Sequence, residues 1–396
     1  MTTVNTEKLD LGGGVTAARG FLAAGVAAGV KKVGKKDVAL VVNAGPRQEA
    51  AAVFTANRFA AAPVVWSRSV LADGQVRAVV LNSGGANACT GAQGTIDAIA
   101  MSAAVAAGLD CGADEVAVCS TGLIGELLPM DKISSGIAEA MKNLSPQGGA
   151  DAALAIMTTD TVSKQASYRS KAGWAIGGMA KGAGMLAPAL ATMLVVITTD
   201  ADVDACDAQE WLEEASWLSF ERADSDGCMS TNDTVLLMAN AASGVRPKEA
   251  EFKAALTAVC QSLAKQLIDD AEGAEHAIAV TVRTAASTDD ALEVARAIAR
   301  SNLFKCAIAG NDPNWGRVLA AIGTTGAIFA PDQVDVCFNG VPVFVHGAPG
   351  AQRDQVDLTP FDVNVEVALH SGQAEATIIT NDLTHGYVSE NADYSS

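Results

Sequence analysis

The sequence predicts an α/β protein, and two patterns support this prediction. Short apolar runs rich in valine and bounded by turn residues are typical of strands. Alanine-rich segments with helical spacing lie between these runs and are typical of helices. The chain has 396 residues, of which 49% are hydrophobic, enough to bury a large core. We therefore expect two domains, or one large domain with an appendage.

The strands are predicted in chain order from their apolar runs. The run that begins at Met193 is apolar at every position, which indicates a strand buried on both faces. Asn339-Gly340 separates two runs by two residues and predicts a hairpin. The predicted strands are residues 37–43, 51–55, 76–81, 116–119, 174–179, 193–197, 234–238, 277–284, 304–309, 334–338, 341–345, 363–368 and 375–380.

The helices are predicted from alanine content and from amphipathic spacing. The segment from Pro247 begins with a proline, which is tolerated there because the first helical N–H has no partner within the helix. A last helix is predicted to open at Asp312-Pro313-Asn314-Trp315-Gly316-Arg317. Before this last helix, the predicted helices are residues 95–107, 130–144, 151–157, 208–220, 247–268 (the segment from Pro247) and 290–300.

The charge of the chain excludes some partners. Lysine and arginine number 27 against 45 aspartates and glutamates, a net charge of −18, which argues against nucleic acid or an anionic membrane as the main partner. No apolar run reaches the ~18 residues that would span a bilayer, and the first residues do not resemble a signal peptide. We expect a cytoplasmic protein. The lysines at 31, 32, 35 and 36 are expected to form a solvated cluster.

Cysteine and histidine patterns give no familiar catalytic or metal motif. The eight cysteines are scattered without a C-x-x-C pair, so we expect free thiols. The four histidines lie in no H-E-x-x-H motif, and no G-x-S-x-G elbow occurs. No metal is implied, and Ser-His-Asp or Cys-His chemistry has no sequence support, although a triad formed in space stays open.

A different nucleophile is offered by Thr192, at the start of the buried strand that follows the glycine-rich loop at Lys181. A threonine hydroxyl needs a neighbouring base, and its own α-amine can serve, since such an amine titrates near ~7.7–8. That amine exists only if the Ala191–Thr192 bond is cut. The hydroxyl of Thr192 would attack the Ala191 carbonyl, the bond would shift from nitrogen to oxygen, and water would release the new terminus. Taken alone, however, a threonine here is also an ordinary strand former.

Several motifs in order resemble the ornithine acetyltransferase family (ArgJ, glutamate N-acetyltransferase). The strongest is Lys181-Gly182-x-Gly184-Met185-x-Ala187-Pro188-x-x-Ala191-Thr192-Met193-Leu194. The resemblance covers nearly the whole chain. The other matching motifs are Ser120-Thr121-Gly122-Leu123-Ile124-Gly125, Met157-Thr158-Thr159-Asp160-Thr161, Ser230-Thr231-Asn232-Asp233-Thr234-Val235, Asp312-Pro313-Asn314-Trp315-Gly316-Arg317 and Asn391-Ala392-Asp393-Tyr394-Ser395-Ser396.

The resemblance implies a role for each matching residue. Thr192 would be the nucleophile, freed by cleavage after Ala191, and would carry the acetyl group as an ester. The Thr121 hydroxyl and the Gly122 N–H would form the oxyanion hole. A lysine and hydroxyls suit an α-carboxylate, and a glutamate suits the ornithine amine. The residues implied to contact substrate are Thr158, Lys181, Thr192, Glu272, Asn391 and Ser396.

The resemblance also implies the fold, the reaction and the assembly. The fold would be a layered α/β core like that of N-terminal nucleophile enzymes (DmpA/ArgJ-like), residues 1–280, with a smaller C-terminal α/β domain, residues 281–396, whose tail returns to the active site. Cleavage would give an α chain, 1–191, and a β chain, 192–396, assembled as an α2β2 heterotetramer. Acetyl transfer from N2-acetylornithine to glutamate would need no metal or prosthetic group. Whether acetyl-CoA also serves as a donor stays open.

Three departures from the family pattern concern substrate preference. Gly85 stands in the 82–88 loop where the family has an asparagine, His276 replaces a lysine after Glu272, and Cys228-Met229 replaces Asp-Thr. Two alternative functions remain. One is an N-terminal nucleophile amidohydrolase or aminopeptidase of related fold, in which water captures the Thr192 ester. The other is a non-catalytic amino-acid-binding protein that never cleaves itself.

Overall fold

The computed structural model describes residues 9–10, 12–31, 34–187 and 193–393. These residues divide into two compact units. The first runs to Glu221 and includes Cys228–Leu267, and the second consists of Arg222–Gly227 and the chain from Ile268 onward. The boundary predicted after residue 280 lies within the first strand of the second unit. Both units combine helices with sheets, so the predicted α/β class is confirmed.

The first unit contains ten strands and six helices among its described residues. The strands are β1 (Leu9–Asp10), β2 (Phe21–Val26), β3 (Val38–Asn43), β4 (Glu49–Phe54), β5 (Ala78–Gly85), β6 (Val116–Leu123), β7 (Lys164–Arg169), β8 (Ala175–Lys181), β9 (Leu194–Thr199) and β10 (Thr234–Ala239). The helices are α1 (Ala62–Val70), α2 (Gly91–Leu109), α3 (Met130–Lys142), α4 (Gly149–Ala155), α5 (Ala205–Trp217) and α6 (Glu249–Asp269), whose last residues enter the second unit.

These strands form two sheets. Sheet A has the order β1-β7-β8-β9-β10-β4, and sheet B has the order β2-β3-β5-β6. Within sheet A, β9 and β10 are parallel, and β8 pairs antiparallel with β9. Within sheet B, β5 and β6 are parallel. The carboxyl ends of parallel strands lie at one edge of a sheet, so β5 and β6 end side by side.

The two faces of sheet B enter two different hydrophobic cores, because side chains alternate along a strand. On β3, Ala39 and Val41 belong to the core shared with sheet A, which also contains Val196 of β9. Val38 and Leu40 belong to the core shared with α2 and α3. Sheet B is therefore covered by helices on one side and by sheet A on the other.

The outer face of sheet A is covered by α5 and α6. Gly178 of β8 lies against Leu263 and Val259 of α6, and α5 packs on β4. The first unit is thus a stack of helices, sheet B, sheet A and helices. This is the layered α/β core implied by the family resemblance.

The second unit is built on one sheet. Its strands have the order β14-β13-β12-β15-β11-β16, and the apolar residues of this sheet share one core with α7, α8 and α9. The strands are β11 (Ala277–Ala285), β12 (Asp335–Phe338), β13 (Val341–Val345), β14 (Ala348–Pro349), β15 (Asp362–Ala368) and β16 (Ala374–Asn381), and the helices are α7 (Thr288–Ala299), α8 (Asn302–Ala309), α9 (Trp315–Ile322) and α10 (His385–Asp393).

Turn and cap residues of the second unit behave as their sequence predicts. Asn339 and Gly340 both have positive φ, 46° and 81°, between the paired strands β12 and β13, which confirms the predicted hairpin. The Asn314 side chain accepts a hydrogen bond from the Arg317 N–H and caps α9. Trp315 stacks on Phe344 with ring centroids 5.0 Å apart. The Asp312–Arg317 motif therefore begins a helix, as predicted.

One predicted strand is wrong. Residues 304–309 form most of α8, whose N-cap Ser301 accepts a hydrogen bond from the Phe304 N–H. The buried residues Phe304, Ala307 and Ile308 follow helical spacing, and the short apolar run concealed this periodicity. The sequence also did not identify α1, β2 or β7.

Among the described helices, α2 is long and apolar enough by length and composition alone to cross a membrane. The helix is not an unbroken apolar run, because Gln93 and Asp97 interrupt it. In the structure, Met101 and Val105 of α2 pack in the core beneath sheet B. Asp97 of the same helix is buried and accepts a hydrogen bond from Gln93. The helix thus forms one layer of the first unit.

Candidate active site

The end of β6 in sheet B has a backbone conformation that favours glycine. Gly122 has φ 131° and pairs with Gly84 at the end of β5. A Cβ atom on Gly122 would lie 2.5 Å from the Gly84 carbonyl carbon and 2.6 Å from the Gly85 nitrogen. The strand ends are therefore in close backbone contact, and residue 122 keeps a conformation that L side chains rarely adopt.

Thr121 and Lys181 join the end of sheet B to sheet A. Lys181 closes β8, and its Nζ donates a hydrogen bond to Thr121 Oγ1 over 3.2 Å. Both side chains are buried, with Thr121 2% exposed and Lys181 1% exposed. A hydroxyl that accepts a bond from a cation keeps its own proton to donate. This arrangement suits a donor to a developing negative charge.

Asp160 organises the polar groups next to Lys181. Its Oδ1 accepts hydrogen bonds from Lys164 Nζ and from the Gly182 N–H, both at 2.7 Å. Its Oδ2 accepts a 2.9 Å bond from the Thr158 N–H. Burial would raise the pKa of Asp160, but the charges of Lys181 and Lys164 and these hydrogen bonds lower it to about 2. The carboxylate therefore stays ionised and fixes the backbone of two residues that match the family motifs.

Replacing Asp160 with asparagine is expected to reduce the free energy of unfolding by ~3–5 kcal/mol at pH 7, because it breaks a buried ion pair. The pKa of Asp160 in the folded protein, about 2, lies below the ordinary 3.8. The stabilisation is therefore fully present at pH values above 3.8 and is lost as the pH falls toward 2. Denaturant unfolding of both proteins at a series of pH values should show their difference narrowing on acidification. Asp151→Asn is the control, since its pair with Lys36 is exposed and should contribute less than ~1 kcal/mol. A difference that does not depend on pH would contradict this account.

Lys31 is a cation that the sequence assigned to a solvated cluster, and the structure corrects this. Its Nζ donates a 2.8 Å hydrogen bond to the carbonyl of Met157, immediately before Thr158. Burial lowers the pKa of Lys31 to about 8, with Asp37 opposing the shift. Lys31 and Lys181 thus lie close enough to influence each other, and the site contains two cations where the sequence suggested one.

The loop before β10 connects the two sheets. Asn232 Nδ2 donates to the carbonyls of Ala86 and Ser120, at 2.6 and 2.8 Å, and so holds the residue preceding Thr121. The next residue, Asp233, is fully buried and accepts a hydrogen bond from the Met193 N–H. The sequence placed both in a family motif without assigning them a role.

Two of the residues implied to contact substrate meet in the second unit. Asn391 Nδ2 donates a 2.9 Å hydrogen bond to Glu272 Oε2. Gly273 makes this approach possible, because a Cβ atom there would lie 2.1 Å from the Tyr387 nitrogen at the start of α10. Glu272 and Asn391 therefore form one polar group. Ala191, Thr192 and Ser396 lie outside the described residues.

The structure shows the contacts of two of the three departures from the family pattern, Gly85 and His276. The carbonyl of Gly85 accepts a hydrogen bond from Asn82 Nδ2, so the loop is held through its backbone at this position. His276 is buried in the second unit, with Nδ1 2.8 Å from Asp382 Oδ2. Its backbone N–H also donates to Asp382 Oδ1. The histidine therefore faces Asp382.

Only one group of residues in the described ranges has the composition and spacing of a metal site. Asp335, His346 and His370 of the second unit have ligand atoms within 4.8 Å of one another. His370 Nε2 lies 2.7 Å from Asp335 Oδ2, so an ordinary hydrogen bond explains the closest contact. The histidines are distant in sequence, which concealed the group. None of the eight cysteines, all of which lie in the described ranges, forms a disulfide, as predicted.

The second unit also contains a cavity of about 460 Å³. Buried Lys305 lines it and donates hydrogen bonds to the Ser225 carbonyl and to Thr380 Oγ1. Burial lowers the pKa of Lys305, while nearby aspartates raise it. Arg300, which pairs with Asp224, also lines the cavity. The two cations that line this cavity, Lys305 and Arg300, are thus both paired with neighbouring polar groups.

Comparison with known proteins identifies the family. Residues 22–396 match the model of the ArgJ family. The arginine biosynthesis bifunctional protein ArgJ of Thermobifida fusca is 60% identical over 381 residues, which cover 96% of this chain and 99% of that protein. The protein of the same name from Streptomyces avermitilis is 60% identical over 382 residues, covering 96% and 100%.

A solved structure is also similar in sequence. Ornithine acetyltransferase from Mycobacterium tuberculosis, crystallised with ornithine, is 54% identical, with a TM-score of 0.45. The match covers 47% of this chain and 98% of that chain. Since the family model matches nearly the whole sequence and the relatives are more than half identical over it, the chain belongs to the ArgJ family.

Proposed function

We propose that this protein is a glutamate N-acetyltransferase of arginine biosynthesis, which moves the acetyl group of N2-acetylornithine to glutamate. The observation that best supports this reaction is the buried contact between Lys181 and the Thr121 hydroxyl, beside the glycine backbone of residue 122. An acyl transfer develops negative charge on the carbonyl oxygen. A fixed hydroxyl and a backbone N–H near a cation are the groups that stabilise such a charge.

In the proposed activation, Thr192 Oγ attacks the carbonyl carbon of Ala191. The peptide nitrogen leaves as the α-amine of Thr192, and an ester joins the two residues. Water then hydrolyses the ester to give an α chain, 1–191, and a β chain, 192–396. The new amine is the base that the hydroxyl requires.

In the proposed catalytic cycle, Thr192 Oγ attacks the acetyl carbon of N2-acetylornithine while its proton passes to the α-amine. The Thr121 O–H and the Gly122 N–H hold the oxyanion. Collapse of the tetrahedral intermediate transfers the proton to the leaving nitrogen and releases ornithine. The amine of glutamate then attacks acetyl-Thr192, and the same groups act in reverse order.

The substrate contacts follow from charge. Lys181 and Thr158 would bind the α-carboxylate common to both amino acids, and Glu272, oriented by Asn391, would bind the side-chain ammonium of ornithine. Ser396 is proposed as a further contact.

The reaction itself requires no metal or prosthetic group. We further propose an α2β2 assembly and a cytoplasmic location.

The test is a direct assay of the acetyl group. Purified protein is incubated with N2-acetylornithine labelled in the acetyl group and with glutamate. Ornithine and labelled N-acetylglutamate should form in equal amounts. Labelled free acetate without N-acetylglutamate would instead support an amidohydrolase, and no turnover with an uncleaved chain would support a binding protein.

A second acetyl donor is tested in the same assay. The curated relatives are named bifunctional, and we propose acetyl-CoA as the alternative donor. Replacing N2-acetylornithine with acetyl-CoA should then give N-acetylglutamate and free coenzyme A. Absence of this product would restrict the enzyme to acetylornithine.

A further inference from the structure

A polar group in the second unit takes no part in the proposed reaction. Asp335 begins β12, His346 lies between β13 and β14, and His370 follows the end of β15. Because β12 pairs with both β13 and β15, the sheet places both histidines beside Asp335. Each of the three side chains offers a ligand atom, and these atoms lie within 4.8 Å of one another.

The backbones of both histidines are fixed by hydrogen bonds to side chains. The His346 N–H donates to Asp335 Oδ1 over 2.8 Å, and the His370 N–H donates to Thr284 Oγ1 over 2.9 Å. Both histidines have positive φ, 46° and 52°, a conformation that is uncommon for residues other than glycine and in which histidine is enriched. The two rings therefore extend from fixed backbone positions beside Asp335.

The distances between these side chains are close to those of ligands on one zinc ion. His370 Nε2 lies 2.7 Å from Asp335 Oδ2, and His346 Nδ1 lies 3.7 Å from Asp335 Oδ1. Two ligands bound to tetrahedral zinc at ~2.0–2.1 Å are ~3.3 Å apart, and the two observed distances bracket this value. The histidine rings are exposed and tilted by 45° to each other. Small rotations of the rings would therefore complete the geometry.

The contact between His370 and Asp335 is a hydrogen bond when no metal is present. A partly exposed aspartate is ionised at neutral pH, and an ionised carboxylate only accepts hydrogen bonds. The proton of this contact is therefore on His370 Nε2. A metal ion that binds Nε2 replaces this proton, which passes to Nδ1 of a neutral ring or to solvent from a charged one. The hydrogen bond thus holds the ring where a metal would bind it.

We propose that Asp335, His346 and His370 bind one Zn²⁺ ion. Two imidazoles and one carboxylate suit late first-row divalent ions, whereas Mg²⁺ and Ca²⁺ prefer oxygen ligands. Zn²⁺ has no geometric preference from its d electrons and binds nitrogen and carboxylate oxygen at similar distances, which fits three ligands from separate segments. These ligands fill three of its four positions, so the fourth is left to water or to another ligand.

Zinc bound to this group would connect three segments of one sheet. The ion would join the first residue of β12 to the turn after β13 and to the residues after β15. The short strands β13 and β14 lie at the edge of this sheet. The unfolded chain does not hold the three ligands together, so the binding energy of the ion adds to the stability of the folded second unit. No step of the proposed acetyl transfer uses the ion.

Calorimetric titration of the purified protein with Zn²⁺ tests this site. Accessible thiols are first alkylated, because cysteines also bind zinc and four of them are exposed. Wild-type protein should bind one ion per chain. His370→Ala should weaken this binding at least ~10-fold, a loss that even a changed outer-shell partner of a metal ligand causes. His385→Ala is the control, because His385 is also exposed but lies outside the group, and its affinity should match the wild type.

Chemical labelling of the histidines locates the ion without any substitution. Diethyl pyrocarbonate acylates imidazole nitrogens that are free, and mass spectrometry measures the extent of labelling at each histidine. Saturating Zn²⁺ should lower the labelling of His346 and His370 several-fold and leave that of His385 unchanged. A chelator should restore the original labelling. Because this comparison uses wild-type protein alone, it stays valid if His370→Ala does not fold.

Three results would overturn the proposed zinc site. Thiol-blocked wild-type protein that binds no Zn²⁺ would show that the three side chains are joined by hydrogen bonds only. Binding that His370→Ala leaves unchanged would place the ion elsewhere. Labelling of His346 and His370 that zinc does not alter would do the same. Neither measurement uses acetyl transfer, so a failure of the proposed function and a failure of the zinc site are separate results.

Discussion

Replacing Thr192 with alanine is expected to leave the chain uncut and to reduce acetyl transfer by at least ~10⁴-fold, as removal of a catalytic nucleophile does. Alanine has no hydroxyl to attack Ala191, and without cleavage no α-amine forms. The denatured mass spectrum should show two fragments for wild type, one beginning at Thr192, and a single species for the variant. The acetyl transfer assay gives the activity of both.

A serine at position 192 is the matched control for this change. Thr192→Ser keeps the hydroxyl and loses only the methyl group, which restricts χ1. We expect this variant to cleave itself and to retain part of the activity. An active wild-type chain that remains whole would rule out the α-amine as base. The search would then turn to the carboxylates and the four histidines.

Replacing Thr121 with valine is expected to lower kcat by ~10²- to 10³-fold, the usual loss for one oxyanion-hole donor. Valine has nearly the same shape, so the buried position stays filled. KM for N2-acetylornithine should change little, because the hydroxyl acts on the charge of the transition state. Steady-state kinetics of folded protein, checked by thermal unfolding, measures both constants.

Thr121→Ser is the control for this second prediction, since it keeps a donor at the same place. Its kcat should lie close to that of the wild type. Because Lys181 Nζ donates to Thr121 Oγ1, the valine variant should also be less stable, by ~1–3 kcal/mol. If kcat of the valine variant stays within a few-fold of wild type, Thr121 is not an oxyanion donor.

Most of the elements were predictable from local pattern. The strands and helices around the site, such as β6, β8, β9 and α6, have apolar periodicity that burial requires, whatever their partners. The Asn339-Gly340 hairpin followed from turn chemistry alone. The strand predicted at 304–309 was wrong because five of its six residues are apolar or small and fit either period. Only packing against the core of the second unit selects the helix.

The site was only partly predictable, for a different reason. Thr121, Gly122, Thr158 and Lys181 were identified through motifs that resemble a family. Asp160 lay in one of those motifs, but its part in fixing Thr158 and Gly182 became visible only in the hydrogen bonds. Lys31 was taken for a solvated cation, because sequence gives no account of depth below the surface.

The sequence by itself determined the α/β class, the positions of most elements and the family, since these depend on periodicity, turn residues and motifs that are local in the chain. The tertiary structure alone decided which distant groups meet. The contact of Lys181 with Thr121 requires sheets A and B to stack, and the placement of Asp233 beside Met193 requires the parallel register of β9 and β10. Strand pairing joins residues far apart in sequence, and local patterns do not encode which strands pair.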